Sequence, residues 1–321
     1  MKKQITNFAM SFCVVATALL SGCENDAATS QESQAVKQNA GSSLTAKGTT
    51  TLFGNGVNLQ PSYYNNGNPN FGWSLMKSQT KIKTVRIEVE PDKVSQAVSW
   101  ISQAKSNGFN VIVTYHKSAV LGSDSTAELT AAANWWKTNY STLAAAGSFT
   151  VNLMNEWGSH NITSNNFASA YNSAIAIVRQ VYSGNIIIDI PGWGQEANTA
   201  TNAVLGTNGT KITDTKIVLS AHIYPGSYNQ GANRYMNTSD IDIMETAKVP
   251  CMIGEFGNQG GSGANWSAIV DYAKTKSWTV LGWCWNGDGG SMNMVTPSWA
   301  TNPTATSFST SSYFSVVYAK L

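Results

Sequence analysis

The sequence predicts a (β/α)8 TIM barrel, and three observations carry that prediction. Eight short apolar or β-branched runs recur along residues 52–285. Amphipathic stretches lie between them, and the mean spacing of about 32 residues matches the roughly 250 residues that eight strand–helix units occupy in such barrels. No Gly-rich phosphate loop follows the first run, although an open, doubly wound sheet of the dinucleotide-binding kind would carry one there.

In order along the chain, the first element is a leader. Lys2 and Lys3 open a positive n-region, and Phe8 to Leu20 form an apolar stretch that fits a signal-peptide h-region. It is short of the roughly 20 residues a membrane-spanning helix needs. Leu20-Ser21-Gly22-Cys23 resembles a bacterial lipobox, so residues 1–22 are expected to be removed and Cys23 acylated. The plainer alternative is an ordinary signal peptide with a chance cysteine. Several acyl chains on one residue hold a protein firmly to a membrane. Glu24 in place of Asp resembles lipoproteins sorted onward, and the expected location is the outer membrane or the cell surface. Residues 23–48 are rich in Ser, Ala, Gln, Asn and Thr without apolar periodicity, and read as a flexible tether. Residues 49–321 read as one domain.

Within that domain the predicted strands are Leu52–Leu59, Thr84–Val89, Asn110–Tyr115, Phe149–Met154, Asn185–Ile190, Lys216–Tyr224, Pro250–Phe256 and Thr279–Trp285. Helical patterns cover Asp92–Ser106, Thr126–Leu143, Asn166–Val181 and Trp266–Lys276. Pro91 and Gly108 punctuate the first of these helices.

Charged residues are only 12 % of the chain, against about 25 % on average. Lys and Arg number 20 and Asp and Glu 18; without Lys2 and Lys3 the balance is 18 against 18. A neutral chain with no basic block argues against nucleic acid, whose binding runs on phosphate neutralisation. Eleven Trp and twelve Tyr supply flat, amphipathic rings and point to neutral partners. The three histidines, His116, His160 and His222, have no metal-ligand spacing, so neither a metal nor a cofactor is expected. With the period of two along strands, inward Glu255 and Trp285 put Cys251 inward and Cys284 outward, as two separate buried thiols.

In a TIM barrel the chemistry gathers where the strands end at the C-terminal face. Arg86 lies in the second run and His116 follows the third; Asn155 and Glu156 close the fourth. Trp193 follows the fifth, His222 and Tyr224 end the sixth, Glu255 closes the seventh, and Trp283 and Trp285 end the eighth. A strand-end Glu more often caps or faces solvent than reacts, but seven runs of one chemical character are harder to dismiss. His160 reads as a loop residue, and Trp135, Trp136 and Trp278 as helix packing.

Val151–Gly158 (VNLMNEWG), Ala221–Tyr224 (AHIY), Ile253–Gly257 (IGEFG) and Gly282–Gly287 (GWCWNG) together resemble the retaining glycoside hydrolases of family 5. Asn-Glu at strand four and Glu at strand seven are the hallmark of that clan. Asn155-Glu156-Trp157 with Pro191–Gln195 (PGWGQ) is similar to bacterial endo-β-1,4-mannanases in particular. The resemblance implies an endo-acting enzyme on mannan or glucomannan, with a cellulase as alternative, working as a monomer on a polysaccharide. It implies Glu255 as nucleophile and Glu156 as acid/base, with Arg86 and Tyr224 holding Glu255 and Asn155 bonding the sugar 2-OH. His116 and His222 would line the subsite before the cleaved bond, with Trp285 as the platform beneath it. Tyr63, Tyr64, Trp73, Trp157, Trp193 and Trp283 would be walls for further sugars, with core packing the equal alternative for Trp157 and Trp283. Lys117 stands where those mannanases tend to carry an acidic residue. Two rivals from other classes are a non-catalytic glycan-binding lipoprotein and a barrel for phosphorylated metabolites, the latter using Asn286–Ser291 as its phosphate loop.

Overall fold

Apolar runs of three to eight residues form the strands because both of their faces are covered, one by the barrel interior and one by helices. The computed structural model describes residues 53–321; the leader, Cys23, the tether and Leu52 lie outside them. The strands are β1 Gly56–Leu59, β2 Thr84–Val89, β3 Asn110–Tyr115, β4 Thr150–Asn152, β5 Ile186–Asp189, β6 Ile217–Ile223, β7 Cys251–Phe256 and β8 Thr279–Asn286. All neighbours are parallel, and β1 pairs with both β2 and β8, closing the barrel. Each predicted run holds one strand of this TIM barrel.

The helices are α1 Trp73–Ser78, α2 Val94–Ser106, α3 Thr126–Ala144, α4 Ser164–Val178, α5 Ala197–Leu205, α6 Thr238–Glu245, α7 Trp266–Thr275 and α8 Phe314–Tyr318. Local signals start several of them. Ser125, Thr163 and Asn265 accept backbone N–H groups at the N-termini of α3, α4 and α7. Asn237 and Asp240 form a reciprocal capping box on α6. On α2 the buried face is Ala97, Trp100, Ile101 and Ala104, the spacing of one helical stripe.

The barrel interior changes character along its axis. Ile112, Ile187, Val218, Met252 and Leu281 fill the N-terminal end as a separate apolar cluster, with Phe53 packed on it. Above them the inward side chains turn polar: Asn58, Arg86, Thr114, Asn152, Asp189 and Ser220 are all buried. This polar half lies directly beneath the strand ends.

A β-bulge interrupts β7 against β6. Ala221 pairs with Ile253, but His222 pairs with Glu255, so Gly254 is the extra residue. Its carbonyl accepts from Asn58 Nδ2 at 2.9 Å, and a Cβ there would meet Ser220 Oγ at 2.2 Å. The bulge corrects one sequence expectation. Met252 and Glu255 both face inward, so Cys251 points out, toward the Met244 carbonyl of α6. Cys251 and Cys284 are both free and buried.

Candidate active site

Arg86 organises the polar half of the barrel. Its side chain is buried, and its nitrogens donate to six acceptors on five strands or their ends, β1, β2, β4, β5 and β7. Nε reaches Asn152 Oδ1 at 2.9 Å. Nη1 reaches Asn58 Oδ1 at 3.0 Å, Glu88 Oε1 at 2.8 Å and Glu255 Oε1 at 3.0 Å. Nη2 reaches Asn155 Oδ1 at 2.5 Å and Asp189 Oδ2 at 3.2 Å. A guanidinium is suited to this work because its five donors sit in a fixed fork.

Glu255 is 5 % exposed. Its Oε2 accepts from the Tyr224 hydroxyl at 2.7 Å. Burial alone would raise this carboxyl; the charges of His222 and Arg86 and the Tyr224 hydrogen bond outweigh burial and hold it below the usual glutamate range. Burial likewise opposes ionisation of Asp189, yet His222 and Arg86 bring it down to about 2. Burial lowers His222 and the charges of Glu255 and Asp189 raise it, with the net shift well upward.

Glu156 stands just past β4 in left-handed backbone, φ 49°, a conformation that non-glycine residues adopt at a cost. Its N–H donates to Asp189 Oδ2 at 3.2 Å, which fixes the turn. Its Oε1 lies 2.8 Å from His222 Nδ1. One carboxylate oxygen of Glu156, one of Glu255 and a nitrogen of His222 all fall within 4.8 Å of one another, and this is the grouping of metal-ligating residue types with such spacing among the described residues. The counter-charge at Glu255 is already supplied by Arg86, and the arrangement is that of two carboxyls facing each other with a histidine between.

His116 follows β3, with Nδ1 2.9 Å from Glu90 Oε1 and Nε2 3.5 Å from Glu88 Oε2. The Tyr63 hydroxyl donates to Glu90 at 2.5 Å, and Tyr63 as a residue is 49 % exposed. Lys117 turns away to Glu128 of α3 at 2.6 Å, so its charge is matched there.

The aromatic expectations divide. Trp193 is 39 % exposed on a left-handed turn, with Gly192, Trp193 and Gly194 at φ 65°, 56° and 79°; a Cβ at Gly194 would strike His222 at 2.6 Å. Tyr64 and Trp283 are half-buried at the mouth. Three tryptophans are corrected. Trp157 is fully buried between Phe167 and Tyr171 and donates to the Ser125 carbonyl, so it is core. Trp285 is fully buried too and donates to the Phe71 carbonyl. The accessible indole of β8 is Trp283, because the pairing of β8 with both neighbours shifts register along the strand and breaks simple alternation. Trp73 stacks on Phe71 and contacts Phe109, ahead of β3, which places it in the helical shell and not at the mouth.

Asn286–Ser291 is no phosphate cradle. Asp288 Oδ2 accepts the Gly290 and Met292 N–H groups, Oδ1 accepts the Trp283 indole N–H, and Asn293 Oδ1 accepts the Gly287 and Asp288 N–H groups, so an acidic side chain sits where a phosphate would have to bind.

Asn58, Glu88, Glu90, Asn152 and Asp189 belong to the site and escaped the sequence reading. A signal was present: Arg86 and Glu88 alternate along β2 and Glu90 continues the period just past its end, so an inward Arg86 carries both glutamates toward its own face.

The description "Cellulase (glycosyl hydrolase family 5)" belongs to the family model that matches residues 63–289. The chain belongs to glycosyl hydrolase family 5. The matched stretch of this family 5 chain contains every polar site residue above except Asn58. A mannan endo-1,4-β-mannosidase of Streptomyces lividans is 27 % identical over 208 residues, covering 63 % of this chain and 52 % of that protein. The chain therefore matches about half the length of that relative. In fold it is similar to the catalytic domain of a mannanase from Streptomyces sp. SirexAA-E, with TM-score 0.64, 18 % identity and coverage of 89 % and 95 %. It is similar as well to the catalytic domain of a Thermobifida fusca endoglucanase, with TM-score 0.65, 16 % identity and coverage of 84 % and 91 %. At those identities the likeness is one of fold.

Proposed function

We propose that the protein is an endo-acting, retaining β-1,4-glycanase whose preferred substrate is mannan or glucomannan. The observation that carries this reading is the pair Glu156 and Glu255, with carboxylate oxygens within 4.8 Å across the barrel mouth. Retention needs two carboxyls about 5–5.5 Å apart, whereas inversion leaves room for a water between them.

Glu255 attacks the anomeric carbon while Glu156 protonates the departing oxygen; Glu156 then takes a proton from water, which releases the sugar from Glu255. Arg86 and Tyr224 keep Glu255 ionised and aimed. Asn155 gives its Oδ1 to Arg86, which turns its amide N–H2 toward the sugar 2-OH. His222 orients Glu156, and Trp283, Trp193, Tyr63 and Tyr64 offer ring faces to neighbouring sugars.

Mannan is favoured by the Streptomyces lividans relative, named as a mannosidase. Glucan is the second reading, favoured by the family model's own description as a cellulase. Reducing-sugar release by the purified protein on mannan, glucomannan and carboxymethyl cellulose separates them. Activity on both mannan-containing polymers alone supports mannanase; activity on the cellulose and glucomannan alone moves it to the glucanases; no activity on any, from folded protein, rejects both. The anchor is part of the same proposal: acylated Cys23 and the tether of residues 24–48 hold the barrel of residues 49–321 at a membrane surface, where it meets polymer.

A further inference from the structure

Among the described residues, four large apolar side chains are exposed: Tyr63, Trp193, Leu205 and Tyr235. Leu205 closes α5, but the other three are aromatic and stand in connections that follow the C-terminal ends of strands. Tyr63 follows β1 and Trp193 follows β5, strands that stand opposite each other in the closed ring of eight. Tyr235 belongs to the connection after β6, the strand beside β5 in that ring. The reaction at Glu156 and Glu255 makes no use of it.

The segment after β6 folds back on itself as a short hairpin, Tyr228–Asn229 pairing antiparallel with Arg234–Tyr235. Two ties fasten it to the turn that carries Trp193. Gln195 Oε1 accepts the Tyr228 N–H at 2.8 Å, and Gln195 Nε2 donates to the Trp193 carbonyl at 3.4 Å. Glu196 is fully buried, and its carboxylate accepts the Gln230 and Gly231 N–H groups of the hairpin tip at 2.6 and 2.9 Å. The same carboxylate lies 2.6 Å from Nδ1 of His160, whose ring packs on Trp193 with centroids 5.3 Å apart. Stripping such partners from a buried carboxylate is costly, so the hairpin and Trp193 keep one fixed relation.

Both rings are presented in the same way. A Cβ at Gly263 would fall 2.4–2.5 Å from three atoms of the Tyr235 ring, and one at Gly122 would fall 2.3–2.8 Å from three atoms of the Trp193 ring. Each ring therefore lies flat on a glycine, and much of what the glycine leaves uncovered meets water: Tyr235 is 48 % exposed. Tyr228 stands perpendicular to Tyr235, with centroids 5.3 Å apart. Arg234, its neighbour in sequence, is paired with Asp240 at 2.6 Å, so that charge is matched. A flat, half-open ring on a fixed support suits the apolar face of a neutral pyranose. We propose that Tyr235 is a further sugar-binding platform, taking a β-1,4-linked hexose unit of the substrate chain outside those held at the catalytic pair. A chain lying across the mouth then runs from Tyr63, past Glu156 and Glu255, to Trp193 and Tyr235.

This rests on the glycanase reading, and the test separates the two. The Glu255→Gln protein, in which cleavage is suppressed, is titrated calorimetrically with mannotriose and mannohexaose, and with cellotriose and cellohexaose. The expected result is that adding Tyr235→Ala lowers the ratio of hexaose to trisaccharide affinity about tenfold, while Tyr235→Phe keeps it. A ratio unchanged in Tyr235→Ala, or lost equally in Tyr235→Phe, overturns the platform alone. No binding of either hexaose to the folded protein overturns the glycanase reading and the platform together. If the Tyr235→Ala protein does not fold, Tyr235→Leu decides in its place, since it keeps apolar bulk over Gly263 without a flat ring. The ratio must fall there too, and an unchanged ratio overturns the platform.

Discussion

Asp189 is the residue whose charge state is most tightly tied to the architecture, because it meets Arg86, His222 and the N–H of Glu156 at once. Its carboxyl is depressed from the ordinary 3.8 to about 2. A depressed carboxyl contributes stability that is present above its unfolded value and is lost as pH falls through the folded one. Asp189→Asn is therefore expected to lower unfolding free energy by about 2 kcal/mol at neutral pH. The difference from the native protein should shrink between pH 4 and pH 2. Denaturant titrations across that window check it, and a difference independent of pH would contradict the charge argument. The catalytic pair behaves differently. Glu255→Gln and Glu156→Gln should each lower turnover by several orders of magnitude on polymer in protein that still folds, with Glu255→Gln also giving up the stabilisation that His222 and Arg86 lend its carboxylate. Near-normal turnover in Glu255→Gln would sink the mechanism.

At the scale of the element, the bulge in β7 decides which residues enter the site. Gly254 lets the strand take an extra residue there without a side chain meeting Ser220, and so turns Glu255 inward beside His222. Gly254→Ala is expected to cost ~1–3 kcal/mol by overpacking and to lower kcat by misplacing Glu255. Combining it with Ser220→Gly should restore part of both losses, and thermal melts and kinetics on the four-member cycle measure that coupling. Strict additivity would show that the close approach to Ser220 is not what the glycine serves. The same bulge explains what the sequence could and could not tell. The strands were legible because parallel barrel strands read as apolar runs, and Glu156, Glu255, Arg86, His222 and Tyr224 because they stand in or at the ends of those runs. Cys251, Trp285 and Trp157 were misassigned because a period of two, or a place beside a catalytic residue, does not fix side-chain direction across a bulge or a left-handed turn. Glu88, Glu90 and Asp189 were overlooked because a charged residue in a strand ordinarily reads as solvent-facing. Only an interior half-filled with hydrogen-bonding partners makes such burial tolerable.

For the whole molecule, the sequence divides a leader and tether from a domain, and the proposed lipid anchor turns that division into behaviour. Cys23→Ser is expected to release the protein from membranes into the soluble fraction while leaving activity on dissolved polymer unchanged. Membrane and detergent-phase partitioning of the two proteins reads this directly, and unaltered membrane association would contradict acylation at Cys23. The barrel itself is compartmented along its axis. The apolar cluster of Ile112, Ile187, Val218, Met252 and Leu281 lies at the end remote from the reacting groups.

The left-handed turn that holds Trp193 out over the mouth has an optical consequence. Of the eleven indoles in the chain, Trp193 is the one exposed by as much as 39 %, while Trp100, Trp136, Trp157, Trp285 and Trp299 are sealed in the interior. A polymer settling across the mouth changes the water around Trp193 and the half-buried Trp283 and leaves the sealed indoles undisturbed. The protein thereby carries an intrinsic emission reporter of occupancy at its own rim, one that needs no label.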